Sequence, residues 1–569
     1  MHFATVLTLR GTSKLVGYKA QCMSTESPVL EISGYSLTYN TPSGPLRALK
    51  NVNLSVARGQ THGLVGESGS GKSSLAWAIL RYLPDNAIEN DGKLLLSGES
   101  IRDRTPSQII EVRGQRISMV FQDPSTSLNP AMRLGEQLSE VMIRHRGLTP
   151  REATEASEQA LERTGITKPK EMLERYPHQA SGGEKQRVVI ATAFACNPEL
   201  IIFDEPTTAL DIITAQQILD LFNQLQDETS ISALYISHDL GLVSRVADTV
   251  SVLKAGEVVE SGLRTDIFMS PRDDYTKKLL SAVPDPKHWL GVNAPAPELP
   301  ILMSAENITV EYGRQSVIGR LFAPKPTHIG AHEVSLTVRK GELVGIVGES
   351  GSGKSTMAKV LSGLQEFHGV IQFGDSHFSK LDDIDLPYRR AVQIVFQHPD
   401  ASLNPRQRIG EILSRPLKLY NITPKEQQTK RIIELLEMVS LPRDYINRFP
   451  HQLSGGEKQR VAIARAFAAK PEVVICDEIT SSLDVSVQAS IANLLVALQD
   501  QTGTACLFIT HDLNLVRQLA HRICVMQHGK LIDTFQPCDA EKPNRNPYTR
   551  ALLEAVPPPA GQFNMEPIT

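Results

Sequence analysis

The chain has 569 residues, more than one hydrophobic core organises, so at least two domains are expected. Hydrophobic residues make up 41% and charged residues 21%, as in ordinary globular proteins, and the net charge of −4 argues against a surface built to neutralise nucleic-acid phosphates. No apolar run reaches the roughly eighteen residues that a spanning helix needs, so any role at a membrane would depend on partner chains.

The N-terminal residues differ in composition from the rest of the chain. The first 25 residues contain Arg10, Lys14 and Lys19 but no acid, a composition that also suits a transit peptide. We expect instead that Met23 is the start of the protein and that the piece upstream of it is disordered or untranslated. Residues 1–27 are predicted to be a disordered N-terminal extension.

A glycine-rich loop, GESGSGKSS, runs from Gly66 to Ser74 between the apolar THGLV and a helical pattern. Glycines let a backbone wrap closely around phosphate, and backbone N–H groups with a helix N-terminus supply positive potential. Lys72 is expected to reach the terminal phosphates, and the hydroxyl of Ser73 is expected to bind Mg²⁺.

Helical sequence follows, such as REATEASEQALERTG from Arg151, and then a second small-residue turn, Ser181-Gly182-Gly183, which leads into another helix. This turn, at the N-terminus of a helix, is again a good anion-binding site. The buried apolar run LIIFDEP then predicts a strand of a parallel sheet that ends in Asp204 and Glu205. Such acids can hold Mg²⁺ and orient an attacking water.

The whole pattern occurs twice. HQASGGEKQR at His178 returns as HQLSGGEKQR at His451, 273 residues later, and His238 and His511 have the same separation. We predict an α/β domain with a helical insertion at residues 28–285 and another at 304–560. The proline-rich segment 286–303 is the predicted linker, and 561–569 a C-terminal tail.

The ordered set of motifs resembles the nucleotide-binding domain of ATP-binding cassette (ABC) transporters, twice over. It comprises the phosphate loop (Walker A), a glutamine loop, the Ser-Gly-Gly signature, the Walker B acids, the aspartate of the D-loop and the switch histidine. The resemblance implies two tandem P-loop NTPase domains, each with a helical signature subdomain. It also implies a head-to-tail sandwich, with ATP between Walker A of one half and the signature of the other.

Carried onto this sequence, the resemblance assigns catalysis to Glu205, Glu478, His238 and His511. In the first half, it assigns ATP binding to Tyr39, Gly66, Gly69, Gly71, Lys72, Ser73, Ser74, Gln122, Ser181, Gly182, Gly183, Asp204 and Asp211. In the second half, the matching residues are Tyr312, Gly348, Gly351, Gly353, Lys354, Ser355, Thr356, Gln397, Ser454, Gly455, Gly456, Asp477 and Asp484. The implied Mg²⁺ ligands are Ser73, Gln122 and Asp204 in one half and Ser355, Gln397 and Asp477 in the other.

Some of these assignments have alternatives. Tyr39 and Tyr312 are the expected adenine-stacking rings, but Tyr35 lies nearby and a core aromatic is an equal interpretation of either. Ile479 replaces the usual proline, which the first half keeps as Pro206. Because the glutamate, histidine and lysine are present in both halves, we predict that both sites hydrolyse ATP.

Two features narrow the resemblance to the ATPases of bacterial dipeptide and oligopeptide importers. These are FQDPSTSLNP and FQHPDASLNP after the glutamine loops, and the terminal segments DDYTKKLLSAVP and NPYTRALLEAVP, which resemble that group's His-Pro-Tyr-Thr tail. Asp274 and Asn546 depart from the pattern, and no cysteine cluster follows either tail, so no iron–sulfur cluster is expected.

The resemblance implies two transmembrane permease partners, a solute-binding protein and a peripheral position on the cytoplasmic face of a bacterial inner membrane. Peptides are the expected cargo, with nickel, glutathione or opine-like solutes as alternatives. The rival interpretation is a tandem ABC ATPase that acts on ribosomes or nucleic acid. Such proteins tend to replace the switch histidine or to add an iron–sulfur domain, so His238 and His511 favour the importer, without a nucleic-acid partner.

Overall fold

In the computed structural model, the described residues are 27–42, 44–208, 210–291, 299–313, 328–481 and 483–557. The predicted extension at 1–27, apart from its last residue, and the predicted tail at 561–569 lie outside these ranges, as do residues 292–298 of the predicted linker. A strand begins at Ile301, inside the last part of that linker.

The first half alternates strands and helices. Its strands are β1 (Leu30–Thr41), β2 (Gly44–Val56), β3 (Thr61–Val65), β4 (Ala87–Leu96), β5 (Glu99–Ser100), β6 (Ile117–Val120), β7 (Leu200–Asp204), β8 (Ser232–Ser237), β9 (Thr249–Lys254) and β10 (Glu257–Leu263). Its helices are α1 (Lys72–Ile79), α2 (Pro106–Val112), α3 (Pro124–Ser127), α4 (Leu134–Arg146), α5 (Pro150–Arg163), α6 (Pro169–Glu174), α7 (Gly182–Phe194), α8 (Ile212–Thr229), α9 (Leu240–Val246), α10 (Arg264–Met269) and α11 (Asp274–Ser281).

The second half repeats this plan. Its strands are β11 (Ile301–Tyr312), β12 (His328–Arg339), β13 (Leu343–Val347), β14 (His368–Phe373), β15 (Ser376–Phe378), β16 (Val392–Val395), β17 (Val473–Asp477), β18 (Ala505–Ile509), β19 (Arg522–Gln527) and β20 (Lys530–Phe535). Its helices are α12 (Lys354–Leu361), α13 (Leu386–Ala391), α14 (Pro399–Ser402), α15 (Ile409–Leu419), α16 (Gln428–Met438), α17 (Gly455–Ala468), α18 (Val485–Thr502), α19 (Leu513–Leu519) and α20 (Pro547–Ala555).

Each half is built on a six-stranded sheet, in the order β10-β9-β3-β8-β7-β6 and its equivalent β20-β19-β13-β18-β17-β16. All neighbours pair in parallel except the antiparallel edge strands β10 and β20. The predicted strands β7 and β17 are buried along their whole length because both faces of the sheet are covered. The α/β prediction is therefore confirmed.

A second, antiparallel sheet of four strands (β2-β1-β4-β5 or β12-β11-β14-β15) packs on one face of each large sheet. On the other face the core includes the helical subdomain, formed by α4 to α7 in the first half and α15 to α17 in the second. The helix predicted from Arg151 is α5. It has an N-cap hydrogen bond from the N–H of Glu152 to the hydroxyl of Thr149.

None of the helices in the described ranges is long and apolar enough to cross a membrane. Free thiols occur in the described part of the chain at the buried Cys476, Cys506 and Cys524, the partly buried Cys196 and the exposed Cys538.

Candidate functional site

The phosphate loops join β3 to α1 and β13 to α12, and their glycines are required by backbone geometry. Gly66 has φ 155°, and a Cβ there would lie 2.2 Å from the carbonyl oxygen of Leu253. Gly71 is the N-cap of α1 with φ 108°, a left-handed conformation that favours glycine. The equivalent Gly348 and Gly353 have φ 152° and 103°. Both loops thus present a helix N-terminus at the carboxyl end of a central strand.

The loop lysines are buried and fold back over their own loops. Lys72 Nζ donates to the carbonyl oxygens of Gly66 at 2.7 Å and Glu67 at 3.0 Å. Lys354 Nζ makes the matching bonds to Gly348 and Glu349, both at 2.8 Å. Burial lowers the pKa of each lysine, against the charges of nearby acids.

A serine and an aspartate meet below each loop. Ser73 Oγ donates to Asp204 Oδ1 at 3.3 Å, and Ser355 Oγ donates to Asp477 Oδ1 at 3.0 Å. Burial raises the pKa of Asp204 to about 6 and also raises the pKa of Asp477. A hydroxyl and a carboxylate are hard oxygen donors of the kind Mg²⁺ prefers, so this pair fits the metal.

Each loop also holds a serine hydroxyl with no internal partner. Ser70 Oγ and Ser352 Oγ are buried, and neither has a hydrogen-bond partner. A buried hydroxyl without a partner is costly unless something else satisfies it. Together with the glycine cradle and the lysine, this orphaned donor fits a phosphate group.

Glu205 lies one residue beyond β7 and is surrounded by polar side chains. Its carboxylate contacts His238 Nδ1 at 3.0 Å, and it accepts hydrogen bonds from Gln122 Nε2 and Thr208 Oγ1, both at 3.1 Å. Burial raises the pKa of Glu205, but the contact with His238, the charge of Lys72 and the hydrogen bond from Thr208 together outweigh it, so the net pKa lies below the ordinary value. Glu205 is therefore held as a carboxylate.

The second glutamate has the same neighbours at different distances. Glu478 accepts a hydrogen bond from Gln397 Nε2 at 3.1 Å, and Lys354 Nζ lies 3.8 Å from Oε1. His511 Nδ1 is 4.0 Å from Oε2, compared with 3.0 Å for the equivalent pair in the first half.

Both glutamates have left-handed backbones, with φ 50° at Glu205 and 49° at Glu478. This conformation is uncommon for a residue other than glycine, and such strain concentrates at functional sites. The two equivalent acids share it although they lie in different halves.

The two halves meet at the phosphate loop of the first half. The backbone N–H of Ser68 donates to Asp484 Oδ1 at 2.5 Å, and Ser486 Oγ donates to Glu67 Oε1 at 2.5 Å. Asp484 and Ser486 lie at the start of α18 in the second half, so the D-loop aspartate of that half contacts the phosphate loop of the other.

The equivalent Asp211 is held differently. It caps α8, where its carboxylate accepts from the N–H and the hydroxyl of Thr214, both at 3.0 Å. Its negative charge still raises the pKa of Glu349 in the opposite phosphate loop, after the larger effect of burial. The residue equivalent to Thr214 is Val487, which has no hydroxyl to hold Asp484.

A cavity of 1130 Å³ lies between the halves. Its lining includes both loop lysines, both glutamates, both switch histidines, both glutamine-loop residues and both D-loop aspartates (Lys72, Lys354, Glu205, Glu478, His238, His511, Gln122, Gln397, Asp211 and Asp484). The structure thus brings most of the sequence-predicted residues together around one cleft.

The signature residues are not part of this lining. Ser181 and Ser454 are exposed, and each is the N-cap of its own helix, α7 or α17. The signature glycines pack on the D-loop helices: a Cβ on Gly183 would lie 2.8 Å from Thr214 Cγ2, and one on Gly456 would lie 2.7 Å from Val487 Cγ1. The pairing of each signature with the opposite phosphate loop therefore stays a prediction.

The expected adenine-stacking tyrosines differ between the halves. Tyr39 lines the cavity, and its buried hydroxyl has no partner. The hydroxyl of Tyr312 lies 3.1 Å from Thr356 Oγ1. The equivalent residue in the first half is Ser74. Tyr35 is fully buried and donates to Glu89, so the nearby aromatic is a core residue.

Sequence reasoning missed two kinds of contact. Glu67 and Ser486, which join the halves, were given no role: Glu67 lies inside the phosphate loop, and Ser486 lies two residues after the D-loop aspartate Asp484. Tyr275 and Tyr548 were noted only as parts of the two tails, yet each hydroxyl contacts a phosphate loop. Their separation of 273 residues, the same as that of the histidines, was an available signal.

Comparison with known proteins agrees with this geometry. The model of the family described as "ABC transporter" matches residues 49–208 and 331–481, and that of "Oligopeptide/dipeptide transporter, C-terminal region" matches 259–308. The glutathione import ATP-binding protein GsiA of Salmonella paratyphi A is 39% identical over 565 residues, covering 93% of this chain and 89% of that protein. GsiA of Escherichia coli O157:H7 is 38% identical over 560 residues, with the same coverage.

Among solved structures, an archaeal ribosome recycling factor in complex with the archaeal ribosomal stalk protein aligns with a TM-score of 0.57. The alignment covers 88% of this chain and 90% of that one at 20% identity. At this level of identity the likeness extends to the tandem fold alone.

Proposed function

Since the chain belongs to the ATP-binding proteins of ABC transporters, we propose that each of its two composite sites hydrolyses ATP to drive solute import through partner permeases. The observation that carries this is the repeated constellation of a buried loop lysine, a Ser–Asp pair and a strained glutamate that contacts glutamine and histidine side chains.

Different side chains would bind the phosphates, hold Mg²⁺ and activate the attacking water in phosphoryl transfer. Lys72 and the loop N–H groups would hold the terminal phosphates, and Ser73 with Asp204 would hold Mg²⁺, which when bound neutralises charge on the phosphate oxygens. Glu205, kept as a carboxylate, orients the attacking water and accepts its proton. His238 fixes the glutamate by the 3.0 Å contact, and Gln122 fixes its second oxygen.

The same roles belong to the second-half residues Lys354, Ser355, Asp477, Glu478, His511 and Gln397. The D-loop aspartates Asp211 and Asp484 would link the sites, Tyr39 and Tyr312 would stack on adenine, and the signatures would close each site from the opposite half. The contact between Ser68 and Asp484 supports that head-to-tail arrangement.

The partners follow from the family. We propose two permease subunits and a solute-binding protein, with this chain peripheral on the cytoplasmic face of a bacterial inner membrane. The cargo is a peptide or peptide-like solute, and glutathione is the first candidate because relatives at 39% identity are named for its import. We also propose that the protein holds no iron–sulfur cluster and has no nucleic-acid partner.

The test substitutes the two glutamates separately, as Glu205→Gln and Glu478→Gln, in protein purified with its permeases. Loss of the general base should lower ATP turnover by about 10²- to 10⁴-fold at each site. If one variant abolishes turnover while the other stays near wild type, the proposal of two active sites fails.

The exposed Glu228 provides the control, and Glu228→Gln should leave turnover unchanged. Uptake of labelled glutathione and of a labelled dipeptide by cells that hold the permeases distinguishes the cargoes. A chain that fractionates with ribosomes instead of membranes would contradict the import proposal.

A further inference from the structure

Two tail tyrosines reach the phosphate loops. Tyr275 lies on α11 and Tyr548 on α20, at equivalent positions in the two halves. The backbone N–H of Glu67 donates to Tyr275 Oη at 3.3 Å, and that of Glu349 donates to Tyr548 Oη at 3.0 Å. The tail of each half thus contacts that half's nucleotide site.

The peptide group held by each tyrosine is also held by the loop lysine. The N–H of Glu349 and the carbonyl of Gly348 belong to one planar peptide, and the carbonyl accepts from Lys354 Nζ at 2.8 Å. In the first half the same peptide joins Gly66 to Glu67. The tyrosine and the lysine therefore form hydrogen bonds with the two opposite ends of a single peptide group. The orientation of this peptide group determines where the lysine ammonium lies.

The start of the tail helix is fixed by a short chain of hydrogen bonds. Asn546, the residue that departs from the family's tail pattern, caps α20 by accepting from the N–H of Tyr548 at 2.9 Å. The N–H of Asn546 donates to Asp533 of β20 at 3.3 Å. Asp273 and Glu260 make the equivalent contacts in the first half.

The end of each tail is anchored on the opposite half. After α20, the carbonyl of Val556 accepts from Arg245 Nη2 of α9 at 2.7 Å, and Pro557 packs on Gly241. After α11, the carbonyl of Asp285 accepts from Gln518 Nε2 of α19 at 2.8 Å. Because α9 and α19 directly follow the switch histidines, each tail helix connects one phosphate loop to the opposite switch segment.

We propose that Tyr275 and Tyr548 are positioning residues for nucleotide binding, which hold the first peptide of each phosphate loop so that its lysine meets the phosphates. The anchor on the opposite half holds the tail helix, and hence the phenol, in register. This inference rests on the proposed function, since it requires that these loops bind the nucleotide.

The phenol suits this task because it stays neutral. Burial raises the pKa of both Tyr275 and Tyr548 to about 12, so the hydroxyl accepts the amide N–H throughout the physiological range. Phenylalanine has nearly the same shape without the hydroxyl, which makes it the direct substitution.

The test uses the full chain with Lys72→Ala, which leaves the second loop as the binding site, and calorimetry with MgADP, which is not hydrolysed. Adding Tyr548→Phe should raise the Kd by about 3- to 10-fold, the loss of one hydrogen bond. In the chain with Lys72 intact, Tyr548→Phe should raise KM for ATP and leave kcat near wild type.

Tyr388→Phe is the matched control. Its hydroxyl donates to the carbonyl of Leu361 at the far end of α12, the helix that follows the same loop. It should lower the melting temperature and leave the Kd for MgADP unchanged. An unchanged Kd in Tyr548→Phe, or an equal rise in both variants, would overturn the inference.

Failure of the proposed function would give a different result, because then Lys354→Ala would not weaken MgADP binding at all.

The anchor of the tail on the opposite half is tested by Arg245→Met, which should raise the Kd for MgADP, as Tyr548→Phe does. Combining the two should add little to the effect of Tyr548→Phe alone, since both act through one helix. Fully additive effects would show that the anchor does not act through the tyrosine.

Discussion

The two D-loop aspartates form a matched pair for which the structure predicts different outcomes. Asp484 accepts the N–H of Ser68 across the domain interface at 2.5 Å and makes no cap bond to its own helix. Asp211 caps α8 through Thr214. A hydrogen bond to a charged group contributes about 1.5–3 kcal/mol to stability. Because the bond between Ser68 and Asp484 is exposed to solvent, its contribution is about 1 kcal/mol. Asp484→Ala should therefore increase local opening of the first phosphate loop about fivefold.

The assay is amide hydrogen exchange without nucleotide, followed by mass spectrometry of the segments 66–74 and 348–356. Asp484→Ala should speed exchange in 66–74 alone. Asp211→Ala should leave exchange in 348–356 unchanged but lower the melting temperature of its domain by about 2–4 °C, for a lost cap of about 1 kcal/mol. Val487→Thr supplies the missing hydroxyl and should reproduce part of the Asp484→Ala effect. Equal acceleration in both segments, or none in 66–74, would refute this reasoning.

Two further outcomes follow from the site. Burial lowers the pKa of His238, but the hydrogen bond and negative charge of Glu205, together with the charge of Asp239, outweigh burial and raise the net pKa above its ordinary value of 6.5. The resulting stability is fully present below pH 6.5 and is lost as pH rises through the raised pKa. Thermal unfolding from pH 6 to 9 should therefore decline less steeply in His238→Gln, and an unchanged slope would contradict the pairing. Ser352→Ala removes a buried hydroxyl without a partner. This substitution should stabilise the ligand-free protein by up to about 1 kcal/mol and should weaken MgADP binding. If scanning calorimetry shows that the ligand-free variant is less stable, the result would argue against a role of the Ser352 hydroxyl in phosphate binding.

The sequence pattern predicted the α/β class and the buried strand β7, but not the four-stranded antiparallel sheets. Fully apolar runs such as the one ending in Asp204 occur where a parallel sheet is covered on both faces. The carboxyl ends of adjacent parallel strands meet at one edge, which is why Lys72, Glu205 and His238, which follow β3, β7 and β8, lie close together. The local pattern predicts the strand that carries Asp204 and Glu205, whereas the roles of Gln122 and His238 come from the family resemblance.

Contacts that depend on tertiary packing could not be predicted. Tyr275 is separated from Glu67 by most of the first half, and no periodicity relates a tail helix to a loop amide. The two phosphate loops are almost identical in sequence, so they gave no reason to expect that Asp484 reaches one loop while Asp211 remains in its cap. That difference depends on Thr214 and its counterpart Val487, which belong to no motif.

Joining the two halves in one chain allows the sites to differ. In a homodimer both composite sites would be built from the same residues, because symmetry repeats every substitution at both interfaces. Here the first phosphate loop contacts Asp484 from the half that carries Val487, whereas the second loop experiences the negative charge of Asp211 from the half that carries Thr214. The switch histidine lies 3.0 Å from its glutamate in the first half and 4.0 Å in the second, where Lys354 also approaches the acid. The surroundings of the two phosphate loops therefore differ both in the glutamate–histidine distance and in how the opposite D-loop aspartate is held.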